Sequence, residues 1–167
     1  ASKCATVRLM LHPAASAAAP RDFQRLGGAA RSESVLRSLV ALTKPRLATL
    51  SVLTTAIAYL AARPAANGRE VIALLLGTAL SAAGALALNQ WHERDTDCIM
   101  ERTRDRPLPA GQLTPAIAFL WGASLASTGV ALLALAVNVP AAAWSAATIM
   151  LYVFVYTPLK KHTPWAT

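Results

Sequence analysis

The chain has 167 residues, of which 55% are hydrophobic and only 14% charged, with a mean hydropathy of +0.43. A water-soluble domain of this size carries about a quarter charged residues, so the composition excludes an ordinary soluble enzyme or binding module. A net charge of +8 would suit nucleic acid, but the basic residues gather at the ends of apolar runs, which argues for a membrane instead.

Residues 1–44 are rich in Ala, Ser and Arg and hold only two acids, Asp22 and Glu33. An organelle transit peptide has this bias. A disordered cytoplasmic tail has it too, and the residues leave both open. Apolar Val35, Leu36, Leu39, Val40 and Leu42 predict a short interfacial helix leading into the first span. Pro45 suits the first turn of that span.

From residue 45 onward the sequence predicts a membrane domain over 45–167. No charge lies between Arg46 and Arg63, between Glu70 and Glu93, or between Arg106 and Lys160. A helix needs about 20 apolar residues to cross a bilayer, so the last gap, Pro107 to Leu159, holds two crossings. Asn138 to Pro140 is the natural turn between them, since Asn and Pro punctuate helices. The expected spans are residues 46–63, 70–91, 114–137 and 140–157. The first is short and carries Thr49, Ser51, Thr54 and Thr55; snorkelling by Arg46 and Arg63 rescues its length. The fold class is therefore all-α, a polytopic transmembrane helix bundle.

Orientation follows from charge. Arg31, Arg37, Lys44, Arg46, Arg94, Arg102, Arg104, Arg106, Lys160 and Lys161 flank the spans on the N-terminal side, against only Arg63 and Arg69 opposite. The positive-inside rule puts the N-terminus on the matrix or cytoplasmic side. Cys4 and Cys98 lack a zinc-ligand spacing, and a reducing location for Cys98 speaks against a disulfide.

In the second span Ala73, Gly77, Ser81, Ala85, Asn89, Glu93 and Asp97 recur every fourth residue and form one ridge of a helix. Its small members, with Gly122, Ala126, Ser127 and Gly129 in the third span, predict close helix packing. The ridge then turns polar. Asn89, Glu93 and Asp97 place three oxygen-bearing side chains on one face, a plausible hard-cation site that would leave room for water and phosphate oxygens. Asp95 falls on the opposite face if the helix continues. Arg102 and Arg106 come next, and guanidinium groups match phosphate oxygens. Metal plus arginine points to a diphosphate. Charge content alone favours instead a solvated loop whose acids and bases pair with one another. His92 and His162 read as surface histidines, and Trp91, Trp121, Trp144 and Trp165 as an aromatic belt.

The arrangement carries a resemblance that chooses between these. "NQWHERDTDCIMERTRDRPLPAGQLTP", with Asn89, Glu93, Asp97, Met100, Arg102, Thr103, Arg106, Pro107, Leu108 and Gly111, resembles the first aspartate-rich region of the UbiA-type intramembrane prenyltransferases. "LTKPRLATL" resembles the family's entry motif. "YTPLKKHTPWAT" resembles its segment after the fourth span, Tyr156 and Lys160 fitting a Y-x-x-x-K pattern. The strings are most similar to those of the haem O synthases within that superfamily. Glu93 stands where most members have Asp, and Ala166 where Asn is expected. The resemblance covers residues 40–167 and implies the N-terminal part of a larger bundle, whose second aspartate-rich motif lies in the other half. The present chain alone is therefore expected to be inactive.

The resemblance implies farnesyl transfer from farnesyl diphosphate to a vinyl group of haem B, with Mg²⁺ as cofactor and haem as substrate. It implies Asn89, Glu93 and Asp97 at the metal–diphosphate site, Arg102, Arg106 and Lys160 on phosphate oxygens, and Tyr156 positioning the diphosphate. It further implies a mitochondrial inner membrane, or a bacterial one, with haem A synthase or oxidase assembly factors as partners. An acceptor such as a quinone-precursor ring or a chlorin is the alternative within the superfamily. A transporter-like bundle is the alternative outside it; polar or broken-helix features near mid-span would mark one, and here the charges lie at the span ends.

Overall fold

The computed structural model describes residues 28–63, 67–101, 103 and 106–162, with side chains described between Ser34 and Leu159. The expected leader over 1–44 lies largely outside the described residues. Every regular element among them is helical: α1 (Gly28–Leu42), α2 (Pro45–Ala62), α3 (Gly68–Asp97), α4 (Pro115–Ala136), α5 (Val139–Met150), a π-helical turn (Leu151–Tyr156) and α6 (Thr157–His162). Four helical stretches are long and apolar enough to cross a membrane: Pro45–Ala62, Gly68–Asp97, Pro115–Ala136 and Val139–Leu159. They match the four expected spans to within a few residues at most ends, and the second runs on past the expected 91 to Asp97.

Each boundary has a local cause. Lys44, the only non-glycine with positive φ among the described residues (φ 44°), ends α1 in a left-handed turn. Pro45 then opens α2 at a position where its missing N–H costs nothing. Asn67 caps α3 by accepting from the Arg69 N–H, and Thr114 caps α4 through Ile117. Asn138 caps α5 through the Ala141 N–H at 2.7 Å. The expected Asn138–Pro140 turn is thus where the chain reverses.

α3 is the hub, packing on α4 most extensively and also on α2, α5 and the π turn. The predicted ridge is the reason. Ala73, Gly77, Ser81, Ala85, Asn89 and Asp97 are all buried, so α4 meets α3 backbone to backbone. A Cβ placed on Gly129 would fall 2.5 Å from the Ser81 nitrogen and 2.7 Å from the Gly77 carbonyl. α2 contributes little to this core, with Ala48 its one buried residue. Its hydroxyls return to its own carbonyls, as Thr49 to Pro45 at 2.7 Å and Thr55 to Ser51 at 2.8 Å. Ile57, Leu120 and Leu135 remain exposed, which suits lipid and not water.

The charged end of the bundle is held separately. Leu42 packs with Ala87, Leu108, Leu113 and Ala118, and Val35 and Leu39 lie against the same cluster. Gln90 donates to the Leu42 carbonyl at 2.8 Å and so satisfies the end of α1. Ser38 donates to Gln112 at 3.0 Å. Gly111 turns the loop with φ 76°, a conformation that strains any other residue type. At the C-cap of α3, Cys98 is disulfide-bonded, contrary to expectation, with its partner outside the described residues.

Candidate functional site

α3 continues unbroken to Asp97, and at about 100° per residue this sets Asn89, Glu93 and Asp97 on one face. Asn89 and Asp97 are each 4% exposed, and Glu93 is partly buried. Asn89 Nδ2 donates to Glu93 Oε2 at 3.1 Å. The buried Thr157 hydroxyl donates to Asn89 Oδ1 at 2.7 Å. One turn further on, Arg106 Nη1 donates to Asp97 Oδ2 at 2.7 Å. Thr103, also buried, donates its hydroxyl to the Asp97 carbonyl at 2.9 Å and folds the loop back over the helix end.

The remaining expected residues divide. Tyr156 lies at this end with its ring stacked on Tyr152, centroids 5.6 Å apart and planes 12° from parallel. Lys160 lies in α6, its side chain outside the described residues, as is the whole of Arg102. Asp95 points away from the row and, among the described residues, pairs loosely with Arg94 at 3.8 Å. Arg94 itself sits 5.0 Å over the Trp91 ring, which packs on Phe119, so this arginine serves packing. Among the described pairs that could link the strip's own acids and bases, Asp97–Arg106 is the tight one.

Among the described residues no group of three His, Cys, Asp or Glu side chains could hold a metal. Glu93 and Asp97 supply two carboxylates on one face. Two carboxylates suit Mg²⁺, which binds through one or two of them and keeps its other positions for water and phosphate oxygens. The donor set therefore fits a shared metal–diphosphate site better than a closed protein cage.

Beside this polar row, within the spans, lies a cavity of about 710 Å³. It is bounded by α2, α3, α5, the π turn and Leu133 of α4, and lined by Leu47, Ser51, Thr55, Ala85 and Tyr152, among others. Its volume falls in the range of about 300–1,000 Å³ typical of small-molecule sites. Ala85 lines the cavity, and Asn89 comes one turn later, about 6 Å along the helix. Tyr152 borders the cavity and stacks on Tyr156, joining the apolar space to the polar end.

Sequence reasoning did not single out Thr157 or Tyr152. Thr157 directly succeeds Tyr156, inside the same Y-x-x-x-K string, and that adjacency was the available signal. Its register depends on the π turn, which no residue pattern announces.

The profile of the UbiA prenyltransferase family matches residues 50–167. A protein of Opitutus terrae named protoheme IX farnesyltransferase is 45% identical over 126 residues, covering 75% of this chain and 43% of its own length. Proteins of the same name from Solibacter usitatus and Myxococcus xanthus are 38% and 42% identical over 142 and 137 residues. The alignments cover 79% and 80% of this chain, and 49% and 47% of those relatives. The chain thus spans less than half the length of these curated relatives. No solved structure matches it.

Proposed function

Since the chain belongs to the UbiA prenyltransferase family, we propose that the protein it comes from transfers a farnesyl group from farnesyl diphosphate to a vinyl group of haem B, with addition of water, to give haem O. Three relatives bearing the name protoheme IX farnesyltransferase support that acceptor. The observation that carries the reading is the polar row of α3 opening one helical turn beyond an intramembrane cavity. A diphosphate group and an apolar prenyl tail require those two environments side by side.

In this reading Glu93 and Asp97 hold the cation side of the site, with Asn89 ordering Glu93. Mg²⁺, when bound, would neutralise the diphosphate as it leaves the allylic carbon. Arg106 is already at the site against Asp97 and contacts phosphate oxygens together with Arg102 and Lys160. Tyr156 orients the diphosphate. Donors fixed before substrate arrives act where charge develops, at no reorganisation cost during reaction. The apolar walls keep water from the electron-deficient carbon until the acceptor has reacted. The leader fits a mitochondrial inner membrane, with the charged end facing the matrix; a bacterial inner membrane with that end in the cytoplasm fits the spans equally well.

The test is production of haem O. Membranes containing the full-length protein, supplied with haem B, farnesyl diphosphate and Mg²⁺, are expected to yield haem O by mass spectrometry, and chelation is expected to stop it. Prenylated 4-hydroxybenzoate with no haem O would overturn the haem assignment in favour of a quinone-precursor acceptor.

A further inference from the structure

The hydrogen bonds around Asn89 have one self-consistent arrangement, and it depends on Thr157. Glu93 Oε2 accepts from Asn89 Nδ2 at 3.1 Å, and an amide nitrogen can only donate. The amide nitrogen must therefore face Glu93, which turns Oδ1 toward Thr157. An amide oxygen also only accepts, so the Thr157 hydroxyl must donate to it. The opposite amide orientation would set oxygen against carboxylate.

The hydroxyl has a single proton and two acceptors within reach. Its oxygen is 2.7 Å from Asn89 Oδ1 and 2.7 Å from the Tyr152 carbonyl. The Tyr152 carbonyl is already served, because the Thr157 backbone N–H donates to it across the π turn. Thr157 is 0% exposed, so solvent does not compete for the proton. A carbonyl oxygen can take a second donor, but that of Tyr152 is satisfied without one, so the proton does more on Asn89.

The π turn is what makes this alignment. An ordinary helix closes hydrogen bonds four residues back, whereas here the bond from Thr157 reaches five back, to Tyr152. The extra residue shifts everything after it by about 100° around the axis. Without that shift Thr157 would not point at a side chain 68 positions earlier in the sequence. Single π turns inside α-helices occur frequently at functional sites.

We propose that Thr157 is a positioning residue for the metal–diphosphate site: its hydroxyl fixes the Asn89 amide, which in turn fixes the Glu93 carboxylate. The inference rests on the proposed function, since it assumes that Glu93 faces a metal–diphosphate group. Removing an outer hydrogen-bond partner of a metal-site residue typically weakens metal affinity by about 10–100-fold.

The experiment uses purified full-length protein and thermal stabilisation by inorganic diphosphate as Mg²⁺ is titrated. Thr157→Val keeps the volume and deletes the donor; it is expected to raise the half-saturating Mg²⁺ by about tenfold or more. Thr157→Ser keeps the donor and is expected to respond as wild type. In an Asn89→Ala background, Thr157→Val is expected to add nothing, because its effect passes through Asn89. Should the valine variant fail to reach the membrane, Thr157→Ala, which only removes atoms, gives the same reading. A lowered melting temperature with unchanged Mg²⁺ response would make Thr157 purely structural and overturn the inference alone. Equal shifts for Ser and Val would overturn it too, since the methyl group would then matter. A wild-type protein that shows no Mg²⁺-dependent response to diphosphate would overturn the proposed function, and the inference with it.

Discussion

Asp95 and Asp97 are two residues apart and meet opposite surroundings. The Asp97 side chain is 6% exposed and bonded to Arg106, whereas that of Asp95 is 50% exposed and only loosely beside Arg94. A carboxylate is held this deep only with partners, because an unpaired buried charge is costly. If Asp97 lends its charge to the metal–diphosphate site, Asp97→Asn keeps the shape and removes that charge. Haem O formation is then expected to fall by about a hundredfold or more, the cost of one well-placed electrostatic contact. Asp95→Asn is expected to cost under about 1 kcal/mol, the worth of a screened surface pairing. The comparison is made in the full-length protein at equal membrane abundance. Equal losses would reduce the strip to a loop of mutually paired charges.

The decisive element contact is the crossing of α3 and α4. Gly77 and Gly129 face each other there, and Gly84 sits against the Ala126 backbone and the Gly122 carbonyl. Lipid is as apolar as leucine, so burial of apolar surface cannot drive this contact; close backbone approach and packing must. Gly129→Ala puts a methyl group 2.5 Å from the Ser81 nitrogen, where backbone would have to move. The expected loss is about 1–3 kcal/mol, the usual range for overpacking, read as a lower midpoint of thermal unfolding in detergent. Gly68, at the start of α3, has nothing within 4 Å of an added Cβ. Gly68→Ala should therefore leave the midpoint unchanged or raise it slightly. A wild-type midpoint for Gly129→Ala would show that the crossing is looser than its distances.

For the molecule as a whole, the placement of charge predicts an orientation that remains to be measured. Among the described basic residues, Arg37, Lys44, Arg46, Arg94 and Arg106 flank one end of the spans, while Arg63 and Arg69 mark the other. Arg63 there pairs with Glu70 at 3.0 Å; a side-chain hydrogen bond to Tyr59, then the Glu70 charge, raise its pKa above the ordinary value. That pairing further reduces the free positive charge on the sparse side. Single cysteines at Met100 and Asn67, both exposed, test the arrangement once Cys4 and Cys98 are replaced by serine. In sealed vesicles of native orientation, an outside-only reagent is expected to label position 67 and spare position 100. The reverse pattern would invert the topology and the compartment assigned to the charged end.

Much of this was legible in the residues. The spacing of charges determined four crossings, because hydrocarbon thickness fixes how long an uncharged helix must be. The four-residue ridge from Ala73 to Asp97 determined the face of α3 that packs and the face that bears the acids, because helix period is a local property. Other features were decided only by tertiary structure. The π turn moves Thr157 into line with Asn89, a pairing across 68 positions that no local rule contains. Gln90 closes the end of α1 from 48 positions away, and Ser38 meets Gln112 across 74. Arg106 pairs with Asp97 nine positions back, a contact that depends on the loop at Thr103 folding over the helix end. Periodicity states which way a side chain faces along its own helix; what it meets there depends on the offset and depth at which helices cross, and those are set by packing.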